Sequence, residues 1–156
     1  MKEIKLEKVN EILYETILDN NFKIILYPTT KSKNFYICLT TRFGAKTLKY
    51  KKDNKIKNIY PGTAHFLEHK VVNLQDKKRM KKIEDLGSSP NAYTTYNNTT
   101  YELYGTNDIK ENINILFDMV SNFSVTKESV ENEKGIISEE IDMIDDDVYT
   151  QLNHMV

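Results

Sequence analysis

Cysteine is almost missing from this 156-residue chain: Cys38 stands alone, which excludes a disulfide within the chain and makes a reducing compartment the default. Within "FYICLTTRFG" it reads as a small buried apolar residue. Charge of one sign is missing too. The 22 basic and 23 acidic side chains leave a formal net charge of −1, so no global field recruits nucleic acid or an anionic membrane. No stretch approaches the roughly 20 apolar residues of a membrane span. The opening "MKEIKLEKVNE" carries no apolar signal core, and the expected location is cytoplasmic. Histidine is scarce as well. Two of the three, His65 and His69, sit in the pentapeptide "HFLEH", and the third, His154, lies far along the chain.

The length is that of one domain, expected to run over 1–156, with enough residues for a real core. "ILYETILDNNFKIILYPTT" predicts a hairpin, two β-prone runs around the turn-forming "DNN". "NFYICLTTRFGA" predicts a third strand closed by Gly44, and the lysine-rich, aperiodic residues 45–60 a loop. After Pro61 and Gly62, with Thr63 as an N-cap, a helix is expected over 63–73, then a second over 77–86 stopping at Gly87. Its run "KKRMKK" reads as a solvated helix face rather than a nucleic-acid patch, because no aromatic residue is interleaved. "SSPNAYTTYNNTTYELYGT" predicts the clearest hairpin. "NDIKENINILFDMVSNF" predicts a helix capped by Asp108 or Asn107, with Ile109, Ile113, Leu116, Phe117 and Val120 as its apolar stripe. The remainder reads as one long acidic helix or two, opened by Thr126 with Ser129 and Glu131. This order implies an α+β fold, a mostly antiparallel sheet covered by helices.

On a helix each residue turns about 100°, so His65 and His69 share one face, one turn apart, with Glu68 beside them. Two imidazoles at that spacing can bind one metal ion, and an adjacent carboxylate suits a general base on water beside it. Phe66 and Leu67 point elsewhere and are expected to anchor the helix in the core. The order H-x-x-E-H inverts the better-known zincin pattern and is itself a metallopeptidase pattern. A catalytic site needs a third ligand. "ENEKGIISEEID" offers Glu131, Glu133, Glu139 and Glu140, of which Glu133 and Glu140 lie two turns apart on one face. Spacing alone leaves these candidates open, since a solvated acidic helix has the same pattern.

The three motifs in order, "TAHFLEHKVV", "SSPNAYTTYNNTTYELYG" and "ENEKGIISEEIDMIDDD", resemble the pitrilysin/insulinase family of zinc metallopeptidases, the inverzincins, over most of the chain from about residue 13. The likeness is greatest to the bacterial branch related to processing proteases and the mitochondrial processing peptidase. The resemblance implies one zinc ion per chain on His65, His69 and Glu140, with Glu68 as general base and Glu133 as the carboxylate that orients the site. It also implies that Asn91, Ala92 and Tyr93 lie on a sheet edge to which a substrate peptide adds as a strand, a general mode of peptide capture. Without it, "NAYTTY" is equally a plain hairpin strand. One departure is that Glu140 follows His69 at a shorter interval than the family usually shows, and the loop after "HKVV" carries the shortening.

Family members pair the zinc-bearing half with a second half of like fold, whose arginine–tyrosine pair steadies substrate and oxyanion. This chain therefore reads as the N-terminal catalytic portion, cut short of the first half's end. Its expected partners are a peptide or unfolded-protein substrate and a C-terminal half or partner subunit of similar fold, with no nucleic acid and no membrane. Two functions follow: a zinc endopeptidase, or a non-catalytic interaction subunit of a peptidase complex keeping the fold and the metal.

Overall fold

A computed structural model describes residues 1–72 and 76–147. It contains two compact units, Met1–Lys33 and Asn34–Val156. The first is an antiparallel sheet of β1 (Lys2–Leu6), β2 (Glu11–Ile17) and β3 (Lys23–Leu26), in the order β1-β2-β3. The β2–β3 hairpin turns at the expected "DNN", with Asn21 in the left-handed region at φ 64°, a conformation asparagine tolerates. Strand β1 was not anticipated. "KEIKL" is too polar to announce a strand, and pairing with β2 decides it.

The second unit is built around β4 (Phe35–Thr41), β7 (Ser89–Thr94) and β8 (Thr99–Gly105), antiparallel in the order β4-β8-β7. Among the described residues strand β7 is thus an edge, unpaired along its outer side. Helices α1 (Thr63–Val72), α2 (Lys77–Asp85) and α3 (Ile109–Ser121) pack with this sheet, and α4 (Lys127–Asp145) lies against α1. Mixed helices and antiparallel sheets bear out the α+β reading.

Residues 45–60 are not simply a loop. They hold a further hairpin, β5 (Lys49–Lys52) and β6 (Lys55–Asn58). Its two turn residues, Asp53 and Asn54, both have positive φ, 50° and 59°, as a two-residue hairpin turn requires. Both faces of this hairpin are exposed, so no apolar alternation advertises the strands.

The core joins Val71 and Val72 of α1, Ile83 of α2, Tyr101 and Leu103 of β8, and Ile115, Leu116 and Met119 of α3. Burying each such aliphatic side chain contributes roughly 1.5–3 kcal/mol. Three expectations are corrected here. Phe66 and Leu67 are half-buried and stand outside this cluster; Val71 and Val72, one turn on, anchor α1 instead. On α3 the buried stripe is Asn112, Ile115, Leu116 and Met119, whereas Ile109, Ile113 and Phe117 are exposed. A row four residues apart drifts around a helix, and the sheet meets the side next to it. Cys38 is exposed, because it alternates with the inward-facing Ile37 and Leu39 and lies on the sheet's outer face beside Tyr36.

Several boundaries agree with expectation. Helix α2 is capped by Leu86 and followed by Gly87 at φ 65°. Helix α3 is capped by Asp108, whose carboxylate accepts from the Glu111 N–H. Helix α4 is one helix, opened by a capping box between Thr126 and Ser129. Thr63 does not cap α1; its hydroxyl donates back to the Tyr60 carbonyl. Residue 73 of the expected first helix, the last part of the expected acidic helix, and His154 lie outside the described residues.

One close approach sets the β7–β8 hairpin. A Cβ at Gly44 would come within 2.5–2.6 Å of the backbone of Thr95, Asn97 and Asn98, so only glycine lets β4's end lie against that turn. Thr99 fastens the same corner by donating to the Phe43 carbonyl at 2.7 Å.

Candidate metal centre

Three elements meet at the site. Helix α1 supplies His65, Glu68 and His69, α4 supplies Glu133 and Glu140, and the edge strand β7 supplies Thr94. Nε2 of His65 and Nε2 of His69 are 3.2 Å apart. Oε2 of Glu140 lies 3.4 Å from the first and 3.5 Å from the second. The helical spacing faces both imidazoles one way, and the two-turn spacing on α4 brings Glu140 opposite them.

These three atoms form the single His/Cys/Asp/Glu group among the described residues with metal-ligating spacing. Ligands held about 2.0–2.1 Å from a tetrahedral zinc ion stand about 3.3–3.4 Å from each other, so the triangle has a zinc site's edge lengths. Two imidazole nitrogens and one carboxylate oxygen are also a donor set zinc takes in catalytic sites that keep a fourth position open. Glu140 Oε2 is buried without a hydrogen-bond partner, a costly state for a carboxylate unless a cation meets it. The residues present fit the metal.

Further polar bonds surround the triangle. Oε1 of Glu133 lies 3.0 Å from Nδ1 of His69, and its Oε2 accepts from the Lys70 ammonium at 3.1 Å. An ionised carboxylate only accepts, so the imidazole proton belongs on Nδ1 and the Nε2 lone pair faces the triangle. Glu68 is buried and stands apart from the three ligand atoms; its Oε2 accepts from the Thr94 hydroxyl at 2.6 Å. The neighbouring Tyr101 phenol is pushed up to about 12, first by burial and then by the charge of Glu68.

Asn91, Ala92 and Tyr93 lie together on β7, but strand alternation divides them. Ala92, like Thr94, turns toward the helix-covered face and packs on the core. Asn91 and Tyr93 sit on the outer face, where Asn91 donates to Oε2 of Glu102 at 3.0 Å. The other Glu102 oxygen accepts from the Tyr36 hydroxyl, whose pKa is driven well above the ordinary phenol value by burial and by that bond. Glu131 pairs with Lys134, and Glu131 and Glu139 are exposed, away from the triangle.

Two residues of the site were missed in the sequence. Thr94 was legible, because it shares a strand face with Ala92 in "NAYT". Lys70 was not, since a lysine after a helical histidine reads as solvent-facing until α4 is in place.

Residues 54–156 match the family Insulinase (Peptidase family M16). The zinc protease YmfH of Bacillus subtilis is 32% identical over 148 residues, 94% of this chain and 35% of that protein. The β subunit of the mitochondrial-processing peptidase of Saccharomyces cerevisiae is 35% identical over 95 residues, 56% of this chain and 21% of that one. An M16-like peptidase from Alicyclobacillus acidocaldarius superposes with a TM-score of 0.81 at 32% identity, over 89% of this chain and 33% of its own. The chain thus spans about a third, or less, of the length of each of these relatives.

Proposed function

This chain belongs to the insulinase family of peptidases, family M16, and on that premise we propose that it is the metal-binding portion of a zinc endopeptidase. His65, His69 and Glu140 hold one zinc ion, Glu133 orients His69, and Glu68 is the general base. The observation that carries this reading is the triangle of two imidazole nitrogens and the orphaned Glu140 oxygen, with sides of 3.2, 3.4 and 3.5 Å. Zinc bound there supplies Lewis acidity, which acidifies water and polarises a peptide carbonyl.

Glu68 takes the proton of the attacking water and passes it to the leaving amine. The Thr94 hydroxyl holds one of its oxygens, fixing the carboxylate's direction. The outer edge of β7, carrying Asn91, Ala92 and Tyr93, pairs with the substrate backbone as an added strand. The same strand carries Thr94, so the peptide is laid down beside the group that activates water.

The developing oxyanion needs preorganised donors. Arg79 is already engaged with Asp76 and Asp118 and with the Asn122 carbonyl, and Arg42 follows the end of β4. Turnover therefore belongs to the assembled protease, in which a C-terminal half or a partner subunit of similar fold supplies those donors. A buried Glu68 held by Thr94 favours this reading over a non-catalytic interaction subunit, whose partners have no need of a positioned base.

Elemental analysis of chain purified without chelators tests the metal. It should find about one zinc per chain, and close to none in His65→Ala and His69→Ala. Unchanged zinc in both variants would overturn the reading.

A further inference from the structure

Lys70 is 7% exposed, and lysine is almost never so buried without a partner. It sits beside His69 in α1, yet both its acceptors are on α4. Its Nζ donates to the Ser129 carbonyl at 3.3 Å and to Oε2 of Glu133 at 3.1 Å. Glu133 in turn holds Nδ1 of His69 through its other oxygen at 3.0 Å.

The rest of α4 explains why this matters. The helix runs from Lys127 to Asp145, and Glu133 is its one buried residue. Val130 and Ile137 are half-buried, and no α4 side chain belongs to the apolar core or packs on it. Among the described residues, the hydrogen bonds that join α4 to α1 converge on Lys70, Glu133 and His69. Two turns further along the same face stands Glu140.

We propose that Lys70 is a positioning residue of the metal centre, a clamp that docks α4 on α1 and so sets where Glu140 meets His65 and His69. This rests on the reading of those three residues as metal ligands. The clamp acts through direction. Nζ fixes the start of α4 at Ser129 and its second turn at Glu133, and a rigid helix carries that placement to Glu140. The opposite expectation is also well defined. If Lys70 acted only as a nearby positive charge, it would repel a divalent cation, and its removal would tighten metal binding.

The test uses two measurements on the chain itself. The first is amide hydrogen exchange on chelator-treated protein. In the wild type α4 should be protected. In Lys70→Met its protection should fall while β8 and α3 keep theirs, and saturating zinc should restore it. The second is zinc affinity by competition with a chromophoric chelator. Lys70→Met should bind about 10- to 100-fold more weakly, the effect expected of an outer-shell partner. Unchanged α4 protection in the zinc-free variant, or zinc binding equal to or tighter than wild type, would overturn the clamp.

Should Lys70→Met fail to fold because it strands the Glu133 carboxylate, the comparison moves to Glu133→Gln against the double variant Lys70→Met/Glu133→Gln, which strands no anion. The double variant should then bind zinc more weakly than Glu133→Gln and show less α4 protection. Equality of the two overturns the proposal. A wild-type chain that binds no zinc but loses α4 protection on Lys70→Met would sink the metal reading and leave the clamp standing.

Discussion

Helices α3 and α4 are held in opposite ways. In its 13 residues α3 buries Ile115, Leu116 and Met119 against β8 and its neighbours. Over 19 residues α4 buries Glu133 alone. Apolar contact holds a helix strongly but with little sense of direction, because dispersion and burial depend on area rather than on the aim of a bond. Hydrogen bonds and ion pairs depend on aim. The helix that only completes the core has the first kind of attachment. The helix that places one carboxylate oxygen against two imidazoles has bonds of the second kind.

The largest expected effect tests the apolar side of this comparison. Leu116→Ala should cost about 2–5 kcal/mol in chemical denaturation, as other buried leucines do, while zinc per folded chain stays at the wild-type value. A folded variant that had lost its zinc would mean that α3 also places ligands, and the comparison would fail.

Next in size is Glu68→Gln in the assembled protease. Glutamine keeps an oxygen for the Thr94 hydroxyl and removes the basicity. Turnover of a quenched peptide should fall by at least about 100-fold, with zinc retained, because Glu68 stands outside the His65–His69–Glu140 cluster proposed to hold it. Zinc lost together with activity would place Glu68 in the ligand set.

A smaller effect joins the core to the site through Tyr101. Its phenol ionises near pH 10.0 when free and near 12 in the folded chain. Between those values the folded state keeps a proton that the unfolded state has shed, so stability falls as pH rises through this window. Thermal unfolding of Tyr101→Phe should show a shallower loss from pH 10 to 12 than wild type. Parallel curves would mean that another group governs the alkaline limb.

The smallest effect sharpens the polar side. Ile141 is 52% exposed on α4, and Ile141→Ala should change stability by no more than about 0.5 kcal/mol. A loss near that of Leu116→Ala would show α4 to be held by apolar contact after all.

Where a feature depends on a local period, the sequence was readable. His65 and His69 share a face because of the helix repeat, the "DNN" and "YNNT" hairpins follow from turn chemistry, and Asp108 and Thr126 announce helix starts. Where a feature depends on which neighbour arrives, it was not. The hairpin at residues 49–58 has no buried face to give it a pattern. Cys38 lies in an apolar-looking strand whose outer side no helix covers among the described residues. The stripe of α3 was read at Ile109, Ile113, Leu116, Phe117 and Val120; Leu116 and Val120 do meet the core, but Ile109, Ile113 and Phe117 are exposed because the sheet took the adjacent side. Phe66 and Leu67 are apolar, but the core formed at Val71 and Val72.

By itself the sequence determined the chemistry on offer: two imidazoles one helical turn apart, a carboxylate beside them, and a pair of glutamates two turns apart further on. Those are consequences of covalent order and of the helix repeat, and they needed no other part of the chain. Only the tertiary structure decided which carboxylate faces the two imidazoles and which lysine is drawn inside. Glu131, Glu133, Glu139 and Glu140 are near-equivalent along a free helix. They become different when α4 lies down on α1: Glu133 meets His69 and Lys70, Glu140 meets both Nε2 atoms, and Glu131 and Glu139 stay in water. The physical reason is that a cluster of side chains spanning two helices is a property of their docking. That docking is made of directional bonds between residues dozens of positions apart, which no local pattern encodes.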